Sequence, residues 1–397
     1  MKRPMCNPVG LVGILSSAFA LVCPVVGQTG WDEPRPQIRF NPEMNEMLNL
    51  RALVSDMVVD APTSIDGRRL DVTPQLTSKA DPEYPRFLQG LGDIRGSVMM
   101  ECVIDETGRP AVRRITRVTH PAFVSPAIDA LFRSRFSAAL IAGKPVPSAV
   151  LVLFQFDVSR GGTMLGHAAF DIPEKSGPDT PLEFRYDTRP QIEMLCEPIY
   201  PFDLLIAKEA GNAEVSFVVD QDGRVKAATA MAASRASFGE ALVAAIESWR
   251  FTPPRADRRG TKALITWRQK FSVENRDLAA DSSEAEIIKQ LRAGTARFAS
   301  LASLDQRLRL IYQVPPHYPT ALDEQGVKGQ AEIEFIIDRA GRVRAPRVTT
   351  ATQVEFGWAA ATAVQQWFYE PPLAQGKPVD VRVTMPFVFE PKRSQNE

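Results

Sequence analysis

The residue types that catalysis and metal binding need are sparse in this sequence and poorly grouped. Its three histidines, His120, His167 and His317, are far apart, and each adjoins proline or glycine in a loop-like context. No Ser-His-Asp order, phosphate-binding glycine loop or paired-cysteine motif occurs. Asp220-Gln-Asp222-Gly223 has the start of a calcium loop without its later ligands, which favours a hairpin turn. We therefore expect no enzyme activity, no metal site and no cofactor.

The cysteines give no clear reactive site either. Cys6 and Cys23 fall in an apolar N-terminal stretch, which leaves Cys102 and Cys196. Cys102 occupies an inward position of an alternating strand pattern, so we expect it to be a small buried hydrophobic residue. A disulfide between Cys102 and Cys196 is an alternative in an oxidising compartment, and it would join two repeats.

Length and charge narrow the class of protein further. The 397 residues carry 47 Lys+Arg against 47 Asp+Glu, so the net charge is zero. A nucleic-acid-binding protein is expected to show a basic excess, so we expect no nucleic-acid partner. The 32 prolines gather at the starts of the repeats described next and between them, where they separate elements.

The same residues recur at the same spacing in three parts of the chain. Each part begins with Tyr-Pro and continues to an Asp-x-x-Gly turn; a phenylalanine follows 18 residues after the aspartate and another aromatic residue after 31. The marks are Tyr84-Pro85, Asp105, Gly108, Phe123, Phe136 and Phe156; Tyr200-Pro201, Asp220, Gly223, Phe238, Phe251 and Phe271; and Tyr318-Pro319, Asp338, Gly341, Phe356, Tyr369 and Phe389. Three copies in one register indicate three similar units in tandem.

Hydrophobic periodicity predicts the elements of each copy. In the third copy, apolar residues alternate over 331–338, which predicts a strand with one buried face. A turn at Asp338 to Gly341 leads to a second strand over 342–349. Spacings of three and four from Phe356 to Trp367 predict an amphipathic helix that Glu-Pro-Pro (370–372) ends, and a last strand follows over 381–389. A short lead-in strand precedes each Tyr-Pro, and a short helix follows it. The predicted fold class is α+β, with three tandem small domains, each a three-stranded antiparallel sheet with helices packed on one face.

The repeat marks and the composition of the linkers place the domain boundaries. The predicted divisions are a signal peptide at 1–27, an N-terminal extension at 28–70, a degenerate first repeat at 71–158, a linker at 159–185, a second repeat at 186–273, a linker with a short helix at 274–303, a third repeat at 304–391 and a tail at 392–397.

The N-terminus has the pattern of a secretory signal. Lys2 and Arg3 precede an apolar run over 9–22, and small residues at its end make cleavage after Gly27 plausible. The run is shorter than the roughly 20 residues of a membrane span. A retained anchor and lipidation at Cys23 stay as alternatives. We expect an exported protein that contacts a membrane only if this segment is retained.

The ordered motifs resemble the C-terminal domain of the TonB energy-transducer family. The third copy carries them all: Tyr318 and Pro319, Asp338 and Gly341, Trp367, Tyr369 and Pro371, then Gly376-Lys-Pro378-Val379 and the closing Phe387-x-Phe389. The second copy keeps Trp249, Phe251 and Pro253 but has Gly260-Thr-Lys-Ala in place of Gly-x-Pro-Val. The first has Ser134 and Ala138 where tryptophan and proline are expected.

The resemblance implies a periplasmic domain that captures the short box peptide of outer-membrane transporters as an added strand. In that fold the last strand lies at a sheet edge, and an open edge is a template for another chain. The implied partner-binding residues are Val381, Arg382, Val383, Thr384, Met385, Phe387 and Phe389, with Ala263–Phe271 as a second candidate edge. An inner-membrane motor complex is a further implied partner. Tyr84, Tyr200 and Tyr318 are expected to be structural.

The chain departs from the energy transducers in ways that leave the function open. Transducers carry one such domain, a long Pro-rich spacer and an anchor with a histidine, whereas residues 4–30 contain no histidine. We expect an exported peptide-binding protein associated with TonB-dependent transport. One alternative is a full, inner-membrane-anchored transducer that couples the proton-motive force to transport. The other is a scaffold whose edges are covered by its own repeats or by self-association.

Overall fold

The structure, a computed structural model, describes residues 58–88, 91, 94–156, 172–273 and 282–391. The predicted signal peptide, the first part of the N-terminal extension, the first parts of the linkers at 159–185 and 274–303, His167 and the tail lie outside the described residues.

Residues 58–156 form the first domain. Its elements are β1 (Val58–Ser64), β2 (Leu76–Ser78), β3 (Gly96–Ile104), β4 (Pro110–Val118), α1 (Val124–Arg133), β5 (Arg135–Phe136), β6 (Ala139–Ile141), β7 (Lys144–Val146) and β8 (Ser148–Phe156), with short 3-10 helices at Arg86–Leu88 and Pro121–Phe123. The main sheet is antiparallel with the order β1-β8-β3-β4, so it has four strands.

The prediction of three strands was therefore wrong for the first domain. The additional strand β1 comes from the end of the predicted N-terminal extension and lies antiparallel along the outer edge of β8. The sequence of β8, Ser-Ala-Val-Leu-Val-Leu-Phe-Gln-Phe, is apolar on both faces, and all but one of its residues are buried. Such a run is typical of a central strand, and β1 makes β8 central.

Residues 186–273 form the second domain, with the predicted three-stranded sheet. Its elements are β9 (Ile192–Met194), α2 (Phe202–Ala207), β10 (Gly211–Val219), β11 (Val225–Ala233), α3 (Ala236–Glu247), β12 (Arg250–Phe251), β13 (Arg255–Ala256), β14 (Arg259–Gly260) and β15 (Ala263–Phe271), preceded by a 3-10 helix at Leu182–Phe184. The sheet order is β11-β10-β15. The predicted lead-in strand is β9, which pairs with β12.

The linker helix and the third domain complete the described chain. They comprise α4 (Ser282–Ala293), a 3-10 helix at Leu301–Ser303, β16 (Leu310–Tyr312), α5 (Thr320–Glu324), β17 (Gly329–Ile337), β18 (Val343–Ala351), α6 (Val354–Val364), β19 (Phe368–Tyr369), β20 (Leu373–Ala374), β21 (Lys377–Pro378) and β22 (Val381–Phe389). The sheet order is β18-β17-β22, and the strands over 331–338, 342–349 and 381–389 are confirmed within two residues at either end.

One helix boundary differs from the prediction. Helix α6 ends at Val364, before Trp367, rather than at Glu-Pro-Pro. Residues Phe368 and Tyr369 leave the helical path because they form β19 and pair with the lead-in strand β16. The aromatic residues after the helix thus tie the start of each repeat to its middle, and β5 and β12 do the same in the other domains.

The three domains pack on one another through specific contacts. Helices α3 and α6 lie together between the second and third domains, where the Trp358 indole Nε1 donates to Glu240 at 2.9 Å. The cores of the first two domains form one continuous apolar cluster. Between the first and third, the Arg309 guanidinium donates to the carbonyls of Arg113 and Val112, each at 2.9 Å. Among the described residues, the second and third sheets have their last strand at an edge.

Candidate functional site: the sheet edges

All seven predicted partner-binding residues lie on one strand, β22, at the edge of the third sheet. The side chains that face the helices are buried in Val381, Val383, Phe387 and Phe389 and half-buried in Met385. The side chains of Arg382 and Thr384 are exposed on the opposite face. The alternation means that an added strand would meet the backbone of β22 while its apolar side chains stay in the core.

Along β22, the backbone amide and carbonyl groups of successive residues point alternately towards the inner partner β17 and towards the open side. The Asp380 carbonyl accepts the Ala299 amide at 2.9 Å on the side away from β17. Because amide and carbonyl directions repeat every second residue, residues 382, 384, 386 and 388 face outward as well. Pro386, which lacks an N–H, lies opposite Glu332 and fits a position that makes no bond to β17.

The linker covers the first rung of this edge. Ala299 forms a parallel bridge with Val381, and the Arg382 guanidinium lies over the Phe298 ring at 4.8 Å. The outward groups beside Val381 therefore already have a partner in the chain, which shortens the open part of the predicted binding strand. Thr384 to Phe389 is the part that no strand of the described residues covers.

The remaining edge offers a short ladder. Five outward groups lie along it, namely the N–H and C=O of Thr384, the C=O of Pro386 and the N–H and C=O of Val388. Each backbone hydrogen bond contributes about 0.5–1.5 kcal/mol net. A segment added here would gain a few kcal/mol from the backbone, which suits weak and reversible capture.

The second domain has a longer edge in the same place. Strand β15 pairs with β10 in the register that β22 uses with β17, so Leu264, Thr266, Arg268 and Lys270 face outward. No proline interrupts it, and within the described ranges no strand pairs with its outer side. The Lys270 carbonyl accepts the Gln269 side-chain amide at 3.1 Å. This edge is the more complete of the two candidates.

In the first domain the same edge already holds a strand. Leu151, Thr266 and Thr384 each lie 46 residues after the turn aspartate of their repeat. Leu151 is paired with Asp60 of β1, whereas Thr266 and Thr384 have no paired strand on that side among the described residues. The sequence prediction missed β1; the continuous apolar run of β8, unlike the alternating β15 and β22, was the signal that could have revealed it.

The Tyr-Pro motif has the same structural role in every copy. The hydroxyls of Tyr84 and Tyr200 donate to the carbonyls of Ile94 and Glu209 at 2.7 Å, and the Tyr318 hydroxyl donates to that of Val327. The bond closes the loop that contains the short helix, and Pro319 is the N-cap residue of α5. Burial raises the pKa of Tyr318. These contacts support the prediction that the tyrosines are structural.

The other motif residues of the third copy also hold the fold. The buried Asp338 carboxylate accepts the amides of Ala340 and Arg342 and the guanidinium groups of Arg342 and Arg344. Trp367 Nε1 donates to the Val314 carbonyl at 2.8 Å. The Tyr369 amide donates to the Gly341 carbonyl at 2.7 Å, and Pro371 is half-buried after β19. None of these residues lies on the open edge.

One motif alignment needs correction. Gly376 and Gly143 lie 38 residues after their turn aspartates, in the hairpin before the last strand, and both have positive φ. The residue at this position in the second copy is Arg258, with φ of 65°, and not Gly260, which lies two residues later. The prediction matched Gly260 by residue type, whereas the turn geometry identifies Arg258.

The two cysteines and His120 are buried, which moves their pKa values away from neutral pH. Cys102 and Cys196 are both buried and free, so the disulfide alternative was wrong, and burial raises the pKa of each thiol, that of Cys196 to about 11. Burial lowers the pKa of His120 to about 4. Across the part of the chain that the structure describes, no three His, Cys, Asp or Glu side chains group as metal ligands, and no helix is both long and apolar enough to cross a membrane.

Comparison with known proteins finds one family model and one solved structure. The family model described as the Gram-negative bacterial TonB protein C-terminal matches residues 197–273 and 314–391. A solution structure of the TonB C-terminal domain of Pseudomonas aeruginosa matches with 25% identity over 25% of this chain and 100% of that domain, at a TM-score of 0.22. A search of curated proteins finds no match. The family points to a TonB-like role in the cell envelope, in TonB-dependent transport. Residues 197–273 and 314–391, which lie in the second and third repeats, are therefore similar to the C-terminal domain of TonB.

Proposed function

We propose that this protein is exported to the periplasm and binds extended segments of partner proteins by strand addition at β22 and β15, in the service of TonB-dependent transport. The observation that carries the proposal is the pairing of β1 with β8. The third and second domains keep the equivalent edge without a paired strand in the described residues, in the same fold and at the same register.

The first domain supports the proposal because its strand β1 occupies the edge of β8 in the way that a partner segment would occupy the edge of β22 or β15. Strand β1 is a seven-residue segment that runs antiparallel to β8, and backbone pairing does not depend strongly on the sequence of the added strand. A shorter partner segment would pair with Thr384 to Val388 in the third domain. The fitting partners are segments of outer-membrane transporters, which the family resemblance implies.

The strand-addition step can be tested at Thr384. Thr384→Pro removes an outward N–H without touching the β17 ladder, as Pro386 already does, and Thr384→Ala keeps that N–H. With the full chain and a fluorescent transporter-box peptide, we expect anisotropy titration to show about tenfold weaker binding at β22 for the proline variant, from the lost bond and the obstructing ring, while binding at β15 is unchanged. The alanine variant should bind as the unmodified chain does.

Hydrogen exchange provides an independent readout of the same site. Peptide binding should slow exchange of the Thr384 and Val388 amides. Absence of any protection at millimolar peptide, or equal affinities of the proline and alanine variants, would show that β22 is not the binding edge. Export has a separate test, because mass spectrometry of the mature protein should find an N-terminus near Gln28.

A scaffold without a peptide ligand is the second candidate, and two contacts favour it. Strand β1 covers the first edge, and Ala299 covers the start of the third. If scaffolding is the function, sedimentation should reveal a stable oligomer whose β15 and β22 amides are protected without added peptide. A monomer with rapidly exchanging edge amides would exclude this candidate.

A further inference from the structure

The hairpin before the last strand differs in the second domain. Its turn residues, Asp257 and Arg258, have φ of 49° and 65°, and the first and third domains have Ala142-Gly143 and Gln375-Gly376 with the same signs of φ. An arginine in this left-handed conformation is less favourable than glycine because its Cβ crowds the backbone. The second domain thus keeps a basic side chain where the fold prefers glycine.

Arg258 belongs to a row of six exposed cations that we call the basic strip. Four members, Arg255, Arg258, Arg259 and Lys262, lie on or just after the β13–β14 hairpin. The other two, Arg268 and Lys270, lie at the far end of the outer face of β15, beyond Leu264 and Thr266. The nearby carboxylates are Asp257 within the hairpin, Asp187, which accepts the Asp257 amide, Glu214, which pairs with Arg268 at 2.8 Å, and Asp220 and Asp222, which flank Gln221 beside Gly260. The strip therefore carries a net positive charge.

The other two domains lack this charge at the same positions. The six equivalent residues are Leu140, Gly143, Lys144, Pro147, Leu153 and Gln155 in the first domain, and Leu373, Gly376, Lys377, Asp380, Pro386 and Val388 in the third. One of the six is basic in each, against all six in the second domain. The fold itself thus does not require the charge, which accompanies β15, the more complete of the two open edges among the described residues.

From this juxtaposition we propose that the β15 edge binds an acidic extended protein segment, whose backbone pairs with β15 and whose carboxylates lie against the basic strip. The inference rests on the proposed strand-addition function and adds the charge class of the partner. Alternate residues of a strand lie about 6.8 Å apart on one face, so carboxylates at every second position would follow Arg268 and Lys270. Opposite charges across neighbouring strands attract, and this attraction selects acidic over basic segments.

A protein segment fits this site better than an anionic membrane or nucleic acid does. The cations lie at both ends of a strand whose outward backbone groups at Leu264, Thr266 and Arg268 have no paired strand among the described residues. A lipid surface or a phosphate backbone would use the charges and leave those groups unpaired. An extended peptide satisfies both sets of groups at once.

The test uses the full chain and two labelled eight-residue peptides, one of alternating Glu and Thr and one of alternating Lys and Thr. We expect the acidic peptide to bind at least about tenfold more tightly at low salt, with the difference shrinking as salt rises. The triple variant Arg255→Gln, Arg258→Gly, Arg259→Gln should lose most of this preference. Its glycine restores the residue that the other two hairpins carry, so the hairpin is expected to stay folded.

Backbone pairing is tested separately at Thr266. Thr266→Pro should weaken the acidic peptide about tenfold without changing any charge, and Thr266→Ala should not. If Thr266→Pro binds the acidic peptide normally while the triple variant does not, the strip is a general anion surface and the inference is overturned. The same holds if anionic vesicles displace the acidic peptide equally from the unmodified chain and from Thr266→Pro. Equal binding of the two peptides overturns it as well. In either case, weaker binding of the transporter-box peptide by Thr384→Pro would still support the proposed strand addition at β22.

Discussion

Gly341 shows how one residue of the repeat motif is fixed by two independent constraints. Its φ is 88°, which a residue with a Cβ rarely adopts. In addition, a Cβ at this position would lie 1.9 Å from the Tyr369 carbonyl oxygen, because the turn packs directly on the start of β19. Gly108 and Gly223 have the same two constraints with Phe136 and Phe251. The spacing of 31 between the turn aspartate and the aromatic residue therefore reflects a contact.

Gly341→Ala should be far more destabilising than Gly376→Ala. Both glycines have positive φ, but a Cβ at Gly376 meets nothing within 4 Å. We expect Gly376→Ala to lower the free energy of unfolding by about 1 kcal/mol and Gly341→Ala by about 3 kcal/mol or more, since the second adds a backbone clash. Urea unfolding followed by tryptophan fluorescence measures both. Similar losses in the two variants would mean that the contact with Tyr369 is unimportant.

Residue types and spacings in the sequence identified the positions that make the same contacts in all three repeats. The turn aspartate, the turn glycine and the later aromatic residue could be read from the sequence because they touch one another in every copy. Arg258 could not, because the sequence does not state which residue of a hairpin has positive φ. The pairing of Asp338 with Arg342 and Arg344 could not be read from the repeat either, because it occurs in one copy. In the described structure the equivalent Asp105 and Asp220 make the turn without hydrogen bonds to a guanidinium group.

At the scale of elements, β22 was predicted with its bounds intact and β1 was not predicted at all. Alternating burial identifies β22 because one face is solvated. Strand β1 is isolated in the sequence, and its partner β8 lies about 90 residues later. Only the two-faced apolar character of β8 indicated that a neighbour was missing. Pairing over such a distance depends on the whole sheet, so local periodicity cannot supply it.

Strand β1 should be removable from the first sheet by one backbone change. Asp60→Pro deletes an amide opposite Leu151, whereas Asp60→Ala keeps it. We expect the proline variant to raise hydrogen exchange in peptides covering 148–156 at least about tenfold, because outward groups of β8 lose their partner. Mass spectrometry reads this exchange directly. Unchanged exchange in the proline variant, or an equal rise in both variants, would argue against the pairing.

At the scale of the whole molecule, two buried titratable groups join the domains. The Leu195 amide donates to Nε2 of His120 at 3.1 Å, between the first and second domains. The Thr320 amide donates to the Glu247 carboxylate at 3.1 Å, between the second and third. Burial lowers the pKa of His120 to about 4 and raises that of Glu247 to about 7. Neither junction could be predicted from the sequence, because each is a single contact between separate repeats.

These two groups should oppose each other in the pH dependence of stability. His120 is neutral when folded and takes a proton near pH 6.5 when unfolded, so its contribution is present above that pH and is lost as pH falls towards 4. Glu247 is protonated when folded and ionises near pH 4.5 when unfolded. Its contribution is therefore present at low pH and is lost as pH rises towards 7. Each change amounts to about 3 kcal/mol over its window.

Replacing one group should expose the slope of the other. Between about pH 4.5 and 6.5, Glu247→Gln should make stability rise with pH more steeply than in the unmodified chain, and His120→Gln should make it fall, by the linkage just described. Urea midpoints across that range measure both slopes. If the two variants give the same slope as each other, these groups do not control the pH dependence of the junctions.

The direction of β1 has a mechanical consequence. Because β1 and β8 are antiparallel, the chain enters β1 at Val58 beside Leu153, close to where it leaves β8 at Phe156. Tension applied along the chain would thus pull on the start of β1 and the end of β8, which lie at the same end of the paired strands. It loads the residue pairs one after another, starting with Val58 and Leu153, and such peeling requires less force than shearing all pairs together. A pull would uncover the first edge progressively, residue by residue.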